Sequence, residues 1–373
     1  MSIFRVIVNK LATELDNVSA HVRFPLVGTG LVPAMIARPA RLVIETTNIC
    51  NANCVFCWYQ YQQRPTGIMT RPLYDKALAD FVALGGGSLD LTPSAGDPLV
   101  DPDILERIRT ARRLSAIGEI SLFTNMILAD KRGVAELVGS GLTRLTISVP
   151  GFDEETYRRV YRSSQYARML ANVLALLEEN RRAGQPLDIT LGLRSDRPLA
   201  GLVADPDMKR VIDLLGWTKV EVIYRFKNWG GRIDGADLLP GMQFKSHSRW
   251  RHPRLGPCIQ PYLSPIVFWD GAVGACSCVD GDARALVIGD LTRQSLAEIW
   301  QGEPLRRLRA SFGHDTEPET CRSCNDYTNL SQILRRHFQA ERRTLRVRPE
   351  DADGRRNWRM SPEKTPPTAD SRH

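Results

Sequence analysis

The chain has 373 residues, 43% hydrophobic and 25% charged, with a formal net charge of +8. This composition excludes a wholly disordered chain, and no apolar run is long enough for a bilayer span, which excludes a membrane-embedded protein. The length leaves room for one large domain and a smaller one. Met1 to Lys10 is too interrupted by polar and charged residues for a secretory signal, so the sequence reads as cytoplasmic, where thiols stay reduced. More than half of the net charge falls after Leu334, in a segment that includes Arg335, Arg336, Arg342, Arg343, Arg355 and Arg356. A basic tail can bind nucleic acid, but only Phe338 and Trp358 offer stacking faces there, and Pro366-Pro367 argues for a solvated, poorly ordered terminus.

Residues 1–40 mix apolar and charged positions, and Pro25, Gly28, Gly30 and Pro33 interrupt the second half. One short amphipathic helix followed by a loop is expected. The first strand is Leu42–Glu45. It runs into Thr46-Thr47-Asn48-Ile49-Cys50, and Cys50, Cys54 and Cys57 follow in C-x3-C-x2-C spacing. Three thiolates at the end of a strand leave one iron of a four-iron cluster without a protein ligand, free to bind a small molecule. Zinc sites pair their cysteines differently, disulfides need an oxidising compartment, and three structural thiols this close would be unusual.

Short β-rich runs then alternate with amphipathic stretches. The predicted strands continue as Ser88–Leu91, Ile120–Thr124, Arg144–Val149, Asp188–Leu193 and Val220–Tyr224. The predicted helices are Pro72–Leu84, Pro102–Leu114, Arg132–Val138, Glu154–Asn180 and Pro206–Leu215. Such alternation implies right-handed crossovers and a parallel sheet, and six repeats fit an α/β fold, a partial (β/α)6 TIM-like barrel with ligands at the carboxyl ends of the strands. The stretch Tyr224 to Arg232 is aromatic, basic and glycine-rich, suited to meet a substrate at the barrel mouth.

All five remaining cysteines lie in residues 258–324. Asp270-Gly271 marks the turn of a hairpin leading to Cys276, and Cys321 and Cys324 form a C-x2-C knuckle after the helical stretch Ser295–Leu308. Four thiolates from a hairpin and a knuckle can close a second four-iron cluster that carries electrons or braces the fold. A four-cysteine zinc ribbon is the competing reading. The expected division is an N-terminal helix and loop (1–40), a barrel (41–230), a linker (231–257), a small β-hairpin/helix iron–sulfur domain (258–334) and the basic tail (335–373).

The first cysteine motif resembles the signature of the radical S-adenosylmethionine (radical SAM) superfamily. The resemblance implies that the open iron chelates the amino and carboxylate groups of S-adenosylmethionine, whose reductive cleavage yields a 5′-deoxyadenosyl radical. It places Phe56 beside the adenine. Gly96-Asp97-Pro98 is similar to the family's Gly-Gly-Glu-Pro motif, with Asp97 in place of Glu as the acceptor for the amino group; a plain Gly-Asp-Pro turn is the alternative. Thr124-Asn125 resembles the family's Thr-Asn-Gly, and Ser148 is placed like a serine that contacts ribose or carboxylate. Arg194 pairs with the cofactor carboxylate or is a surface arginine.

The C-terminal half resembles the SPASM module in its shortened, twitch form, with Cys258, Cys276, Cys321 and Cys324 as auxiliary ligands. Five cysteines are too few for the two auxiliary clusters of full SPASM enzymes that modify peptides. The resemblance therefore implies a small, hydroxylated, sugar- or aminocyclitol-type substrate and two [4Fe-4S] clusters, with flavodoxin or ferredoxin as reductant. One outcome is oxidation of an alcohol to a ketone with Arg225 and Asp280 as substrate or proton contacts. Another is epimerisation, with the surplus Cys278 returning a hydrogen atom; Cys278 is otherwise an inert thiol or an alternative to Cys276 as ligand. A peptide-modifying enzyme and a non-catalytic iron–sulfur or zinc protein that binds nucleic acid are the remaining readings.

Overall fold

The apolar run ahead of the first cysteine becomes the strand on which both halves of the chain are hung. In a computed structural model, residues 32–216, 219–245, 256–282, 285–314 and 316–330 are described, together with the backbone of 358–359. A short helix, α1 (32–37), precedes β1 (Arg41–Ile44). It falls in the part of 1–40 read as a loop, and the amphipathic helix expected before it lies outside the described residues. Then follow α2 (Arg71–Ala83), β2 (Gly87–Asp90), α3 (Ile104–Arg112) and β3 (Ile117–Thr124). Next come α4 (Ala129–Arg132), α5 (Val134–Val138), β4 (Arg144–Val149), α6 (Glu154–Tyr161) and α7 (Tyr166–Arg182). The barrel part closes with β5 (Asp188–Arg194), α8 (Leu199–Val203), α9 (Pro206–Leu215) and β6 (Val220–Ile223).

β1 to β6 lie in sequential order and all pair in parallel, the partial-barrel arrangement expected from the alternation. Along β4 the side chains alternate: Leu145, Ile147 and Val149 are fully buried on one face, and Thr146 and Ser148 lie on the other.

The expected helix Glu154–Asn180 is two helices. Arg162 ends α6 in the left-handed conformation, with φ 48°. A helix end leaves carbonyls without intrahelical partners. Here those of Val160 and Tyr161 accept the Val55 and Asn53 N–H groups at 3.0 and 3.1 Å, so the break docks the cysteine loop.

The C-terminal region contains β7 (Arg225–Phe226), β8 (Gln243–Phe244), α10 (Gln260–Leu263), β9 (Ile266–Val267), β10 (Ala272–Gly274) and β11 (Val287–Asp290). Beyond these lie α11 (Leu296–Trp300), α12 (Glu303–Ser311) and α13 (Glu319–Arg322). The expected helical stretch Ser295–Leu308 is likewise split: Ser295 and Glu298 form a capping box at the start of α11, and α12 restarts with Pro304 in its first turn. Part of the stretch read as a linker is ordered, since β8 pairs in parallel with β7.

β9 pairs in parallel with β1 (Val43↔Ile266, Ile44↔Val267), and β10 and β11 continue antiparallel. The hairpin thus extends the barrel sheet, and Val273, Cys276, Leu286 and Ile288 share one hydrophobic core with the barrel. Most of the basic tail lies outside the described residues; β12 (Trp358–Arg359) pairs antiparallel with β6 at the other sheet edge.

A buried ion pair braces the loop after β2. Arg107 Nε lies 2.7 Å from Asp101 Oδ2, with both side chains essentially inaccessible. Arg107 also donates to the Met69 carbonyl and packs 5.0 Å over the Tyr74 ring. Removing one partner strands a buried charge, so Arg107→Ala is expected to cost about 3–5 kcal/mol in denaturant unfolding. A loss below about 1 kcal/mol, the range of exposed pairs, would show that the pair does not hold this loop.

Candidate functional site

The polar residues between β1 and Cys50 build the frame of the first cysteine loop. Glu45 is fully buried: one carboxylate oxygen pairs with Arg64 and the other accepts the Ser94 N–H at 3.2 Å. Burial pushes the Glu45 carboxyl up to about 7, against the pull of Arg64. Arg64 in turn lies 4.8 Å over the Phe268 ring, just after β9. Thr47 Oγ1 donates to the Gly67 carbonyl at 2.9 Å, and Asn48 bridges the Pro65 carbonyl and the Gly67 N–H, both at 2.9 Å. These bonds tie the end of β1 to residues 64–67 and to the loop after β2, so the loop that follows leaves the sheet on a braced base.

Cys50, Cys54 and Cys57 stand half-buried at the carboxyl end of β1, close enough to act on one another electrostatically. Burial pushes all three thiols up, Cys50 and Cys54 furthest, and for those two the neighbouring thiols add to the shift. Thiols in such a place ionise only against a strong positive charge, which coordinated iron supplies. The donor set therefore fits a cluster. Among the described residues no three Cys, His, Asp or Glu side chains crowd to the spacing of a single metal ion. The ligands of a four-iron cube stand wider apart, because iron and sulfide lie between them.

Gly96 and Asp97 lie against this loop. Gly96 has φ +141°, and a Cβ there would come within 3.0 Å of the Thr47 carbonyl, so only glycine fits. Asp97 N–H donates to the Ile49 carbonyl at 3.0 Å. The carboxylate of Asp97 points inward. It accepts the Leu99 N–H at 2.9 Å, the Asn125 N–H at 2.7 Å and the Thr124 hydroxyl at 3.0 Å. Burial raises its pKa to about 6 against those bonds. Asn125 Nδ2 donates to Asn51 Oδ1 at 2.6 Å and approaches Cys50 Sγ at 3.9 Å. Asp97, Thr124 and Asn125 thus form one network that ends on the cysteine loop.

A second network joins β4, α6 and β5. Arg194 Nη1 donates to Ser148 Oγ at 2.7 Å, and Ser148 Oγ lies 2.9 Å from Tyr161 Oη. Arg194 is near enough to Cys54 and Cys57 to favour their thiolates. Phe56 packs edge-on to Tyr161 (5.8 Å) and stacks on Phe226 (4.8 Å). The structure so gathers Phe56, Gly96, Asp97, Thr124, Asn125, Ser148 and Arg194 around one cysteine loop. Tyr161 was not expected from sequence, since it lies inside a run read as one helix; Phe226 belongs to the 224–232 stretch read as facing a substrate.

The C-terminal thiols form the second group. Cys276 follows β10, Cys321 lies on α13 and Cys324 just past it; Cys258 bridges Asn329. Burial pushes Cys258 up to about 11 and Cys324 up to about 12, and Cys258, Cys276, Cys278 and Cys324 influence one another's charge. Cys276 and Cys278 share a hydrogen bond that raises the first and lowers the second, with burial opposing and Lys227 assisting the drop at Cys278. Asp280 is fully buried and accepts the Ala285 and Leu286 N–H groups at 3.3 and 2.8 Å, closing the turn after Cys278. Arg225 is half-buried at the start of β7, next to Phe226.

Residues 226–229 touch both groups. Lys227 Nζ donates to the Cys278 carbonyl at 3.1 Å, and Asn228 Nδ2 to the Ser323 carbonyl at 2.8 Å. Asn325 N–H and Nδ2 donate to Asn228 Oδ1 and the Phe226 carbonyl at 3.2 and 3.1 Å. Trp229 Nε1 donates to the Phe56 carbonyl at 3.1 Å, one residue before Cys57.

Residues 44–197 match the Radical SAM superfamily, and residues 258–325 match SPASM, an iron–sulfur cluster-binding domain. The chain belongs to the radical SAM superfamily and carries a C-terminal SPASM domain. These domains imply S-adenosylmethionine and iron–sulfur clusters as cofactors. Among relatives, a GTP 3′,8-cyclase of Rhodopirellula baltica is 28% identical over 177 residues, 46% of this chain and 48% of its own, so the chain spans about half of that protein. A PqqA peptide cyclase of Gluconobacter oxydans is 24% identical over 311 residues, covering 77% of this chain and 82% of its own. In fold the radical SAM chain is similar to BtrN in complex with AdoMet and 2-DOIA (TM-score 0.51, 18% identity, 78% of this chain and 95% of that one). It is also similar to Streptococcus suis SuiB bound to precursor peptide SuiA (TM-score 0.56, 14% identity, 80% and 73%). Among the described residues no helix is long and apolar enough to cross a membrane.

The Asp97 network makes a prediction. Asp97→Ala leaves the Leu99 and Asn125 N–H groups unpartnered, and an unsatisfied buried donor costs about 1–3 kcal/mol. Denaturant unfolding of the variant should show a loss at least that large, and an unchanged midpoint would show that the network does not brace the loop.

Proposed function

We propose that this radical SAM protein is an oxidoreductase that takes hydrogen from a hydroxyl-bearing carbon of a sugar- or aminocyclitol-type small molecule and leaves a ketone. The observation that carries the reading is the thiol inventory of the SPASM region. Its five cysteines suffice for one closed cluster with one thiol over, and cannot ligate two. The likeness to BtrN, a 2-deoxy-scyllo-inosamine dehydrogenase crystallised with AdoMet and 2-DOIA, supports this substrate class, and the chain spans 95% of it. The peptide-acting reading, suggested by SuiB and the PqqA cyclase, has the smaller cysteine inventory against it.

In this reading Cys50, Cys54 and Cys57 hold an open four-iron cluster, and Cys258, Cys276, Cys321 and Cys324 a closed one. When bound, the open cluster supplies the electron that cleaves S-adenosylmethionine, and the auxiliary cluster an acceptor for the electron released by the oxidised carbon. Arg194, held by Ser148 and Tyr161, offers its planar guanidinium to the cofactor carboxylate. Phe56, Tyr161 and Phe226 give the adenine an aromatic wall. Asp97 acts through Thr124 and Asn125, since its carboxylate is occupied by them. Asp280 shapes the turn beyond Cys278, and Arg225 borders the aromatic wall. A one-electron protein such as flavodoxin or ferredoxin is the reductant.

A second reading keeps the substrate class and makes the reaction an epimerisation. The surplus thiol favours it: Cys278 is half-buried, and its carbonyl accepts the Lys227 ammonium at 3.1 Å.

Anaerobic turnover with candidate sugars and aminocyclitols separates the two. Oxidation lowers the product by two mass units and releases one 5′-deoxyadenosine per product. Inversion leaves the mass unchanged in ordinary water and installs deuterium from deuterated water, and Cys278→Ala stops inversion while 5′-deoxyadenosine still forms. Iron-replete, reduced protein that leaves S-adenosylmethionine intact would refute both.

The arginine contact predicts a binding defect. Arg194→Met should weaken S-adenosylmethionine binding by about 1.5–3 kcal/mol, the range of charged hydrogen bonds, in equilibrium titration. Unchanged affinity would assign Arg194 to the scaffold.

A further inference from the structure

Lys227 is a half-buried cation that, among the described residues, forms no salt bridge. The acid in its neighbourhood, Asp326, is paired with Lys245 instead. The hydrogen bond to the Cys278 carbonyl uses one of three ammonium donors, and the Trp229 ring, 4.8 Å away, offers only a weak cation–π partner. A cation taken from water without a counter-ion is costly. Its contacts point to both thiol groups: Nζ bonds the Cys278 carbonyl, two residues from Cys276, and lies over the Trp229 ring, whose Nε1 donates to the carbonyl next to Cys57. Lys227 is also fixed in place from both sides. Asn228 is bonded to Ser323 and Asn325 in the knuckle, and Trp229 to the Phe56 carbonyl beside Cys57.

We propose that Lys227 is the shared counter-charge of the two cluster sites, a positioning residue whose ammonium favours the reduced state of both. The inference rests on the two-cluster reading given above. Thiolates outweigh the positive core of an oxidised four-iron cluster, so each ligated site is a net anion, and reduction adds another negative charge. Net charge and nearby polar groups set the potentials of such clusters. A cation held between two of them raises both potentials, which eases electron entry at the open site and electron capture at the auxiliary one.

The test is an anaerobic redox titration of the reconstituted full chain followed by electron paramagnetic resonance, with S-adenosylmethionine added to mark the open site's signal. In Lys227→Gln both midpoint potentials should move to more negative values at unchanged iron content, and Lys227→Arg should stay near the parent. Unmoved potentials, movement of one site alone, or an arginine variant shifted as far as the glutamine one would overturn the proposal. If Lys227→Gln takes up no iron, iron content decides: uptake restored in Lys227→Arg supports a charge requirement, and loss in both variants overturns it. The two-cluster reading fails separately, on the parent protein, if its iron and spectrum account for fewer than two clusters.

Discussion

Two backbone registers, Val43 against Ile266 and Ile44 against Val267, set the layout of the molecule. They place β9 beside β1, so the C-terminal hairpin prolongs the barrel sheet. The carboxyl end of β1 then meets its own cysteine loop, the Gly96-Asp97 loop after β2 and the hairpin turn after β9, while β10 runs back antiparallel and delivers Cys276 at the other end of the sheet. Ladder pairing fixes these strands at a few ångströms from one another, and loops leaving the same end of adjacent strands meet.

The loop itself is held by polar groups that water does not reach. Glu45 with Arg64, Thr47 with Gly67, and Asn48 with Pro65 and Gly67 replace hydration by internal hydrogen bonds, and the end of α6 lends its last carbonyls to Asn53 and Val55. A buried polar network is costly when incomplete and rigid when complete. Under the proposed reading, a rigid loop lets three ligands converge while one position of the cluster stays accessible. The same burial that orders the loop also penalises bare thiolates.

Residues 226–229 show how one segment serves two centres. Phe226 stacks on Phe56, Lys227 reaches Cys278, Asn228 grips the knuckle and Trp229 grips the first loop. β7 ends at Phe226 and the chain turns at Trp229, whose φ is 51°, which lets four consecutive residues address both thiol groups.

Much of this was legible in the linear chain. The C-x3-C-x2-C spacing, the strand ends that carry Asp97, Thr124, Ser148 and Arg194, and the six strand–helix repeats are all local patterns, readable from periodicity and spacing without knowledge of the fold. The division of Glu154–Asn180 at Arg162 was not legible, because any residue type gives only a weak signal for a left-handed cap that is stabilised by distant N–H donors. Nor was the inward turn of Asp97, which depends on Thr124 and Asn125 arriving from the next strand. Local pattern marked the cysteines that could bind iron, and resemblance to the radical SAM family marked the residues expected at the cofactor. Which of them share a site, and that Lys227 stands between two such sites, was decided only when β9 paired with β1, since contacts between residues hundreds of positions apart come from packing and leave no trace in local sequence.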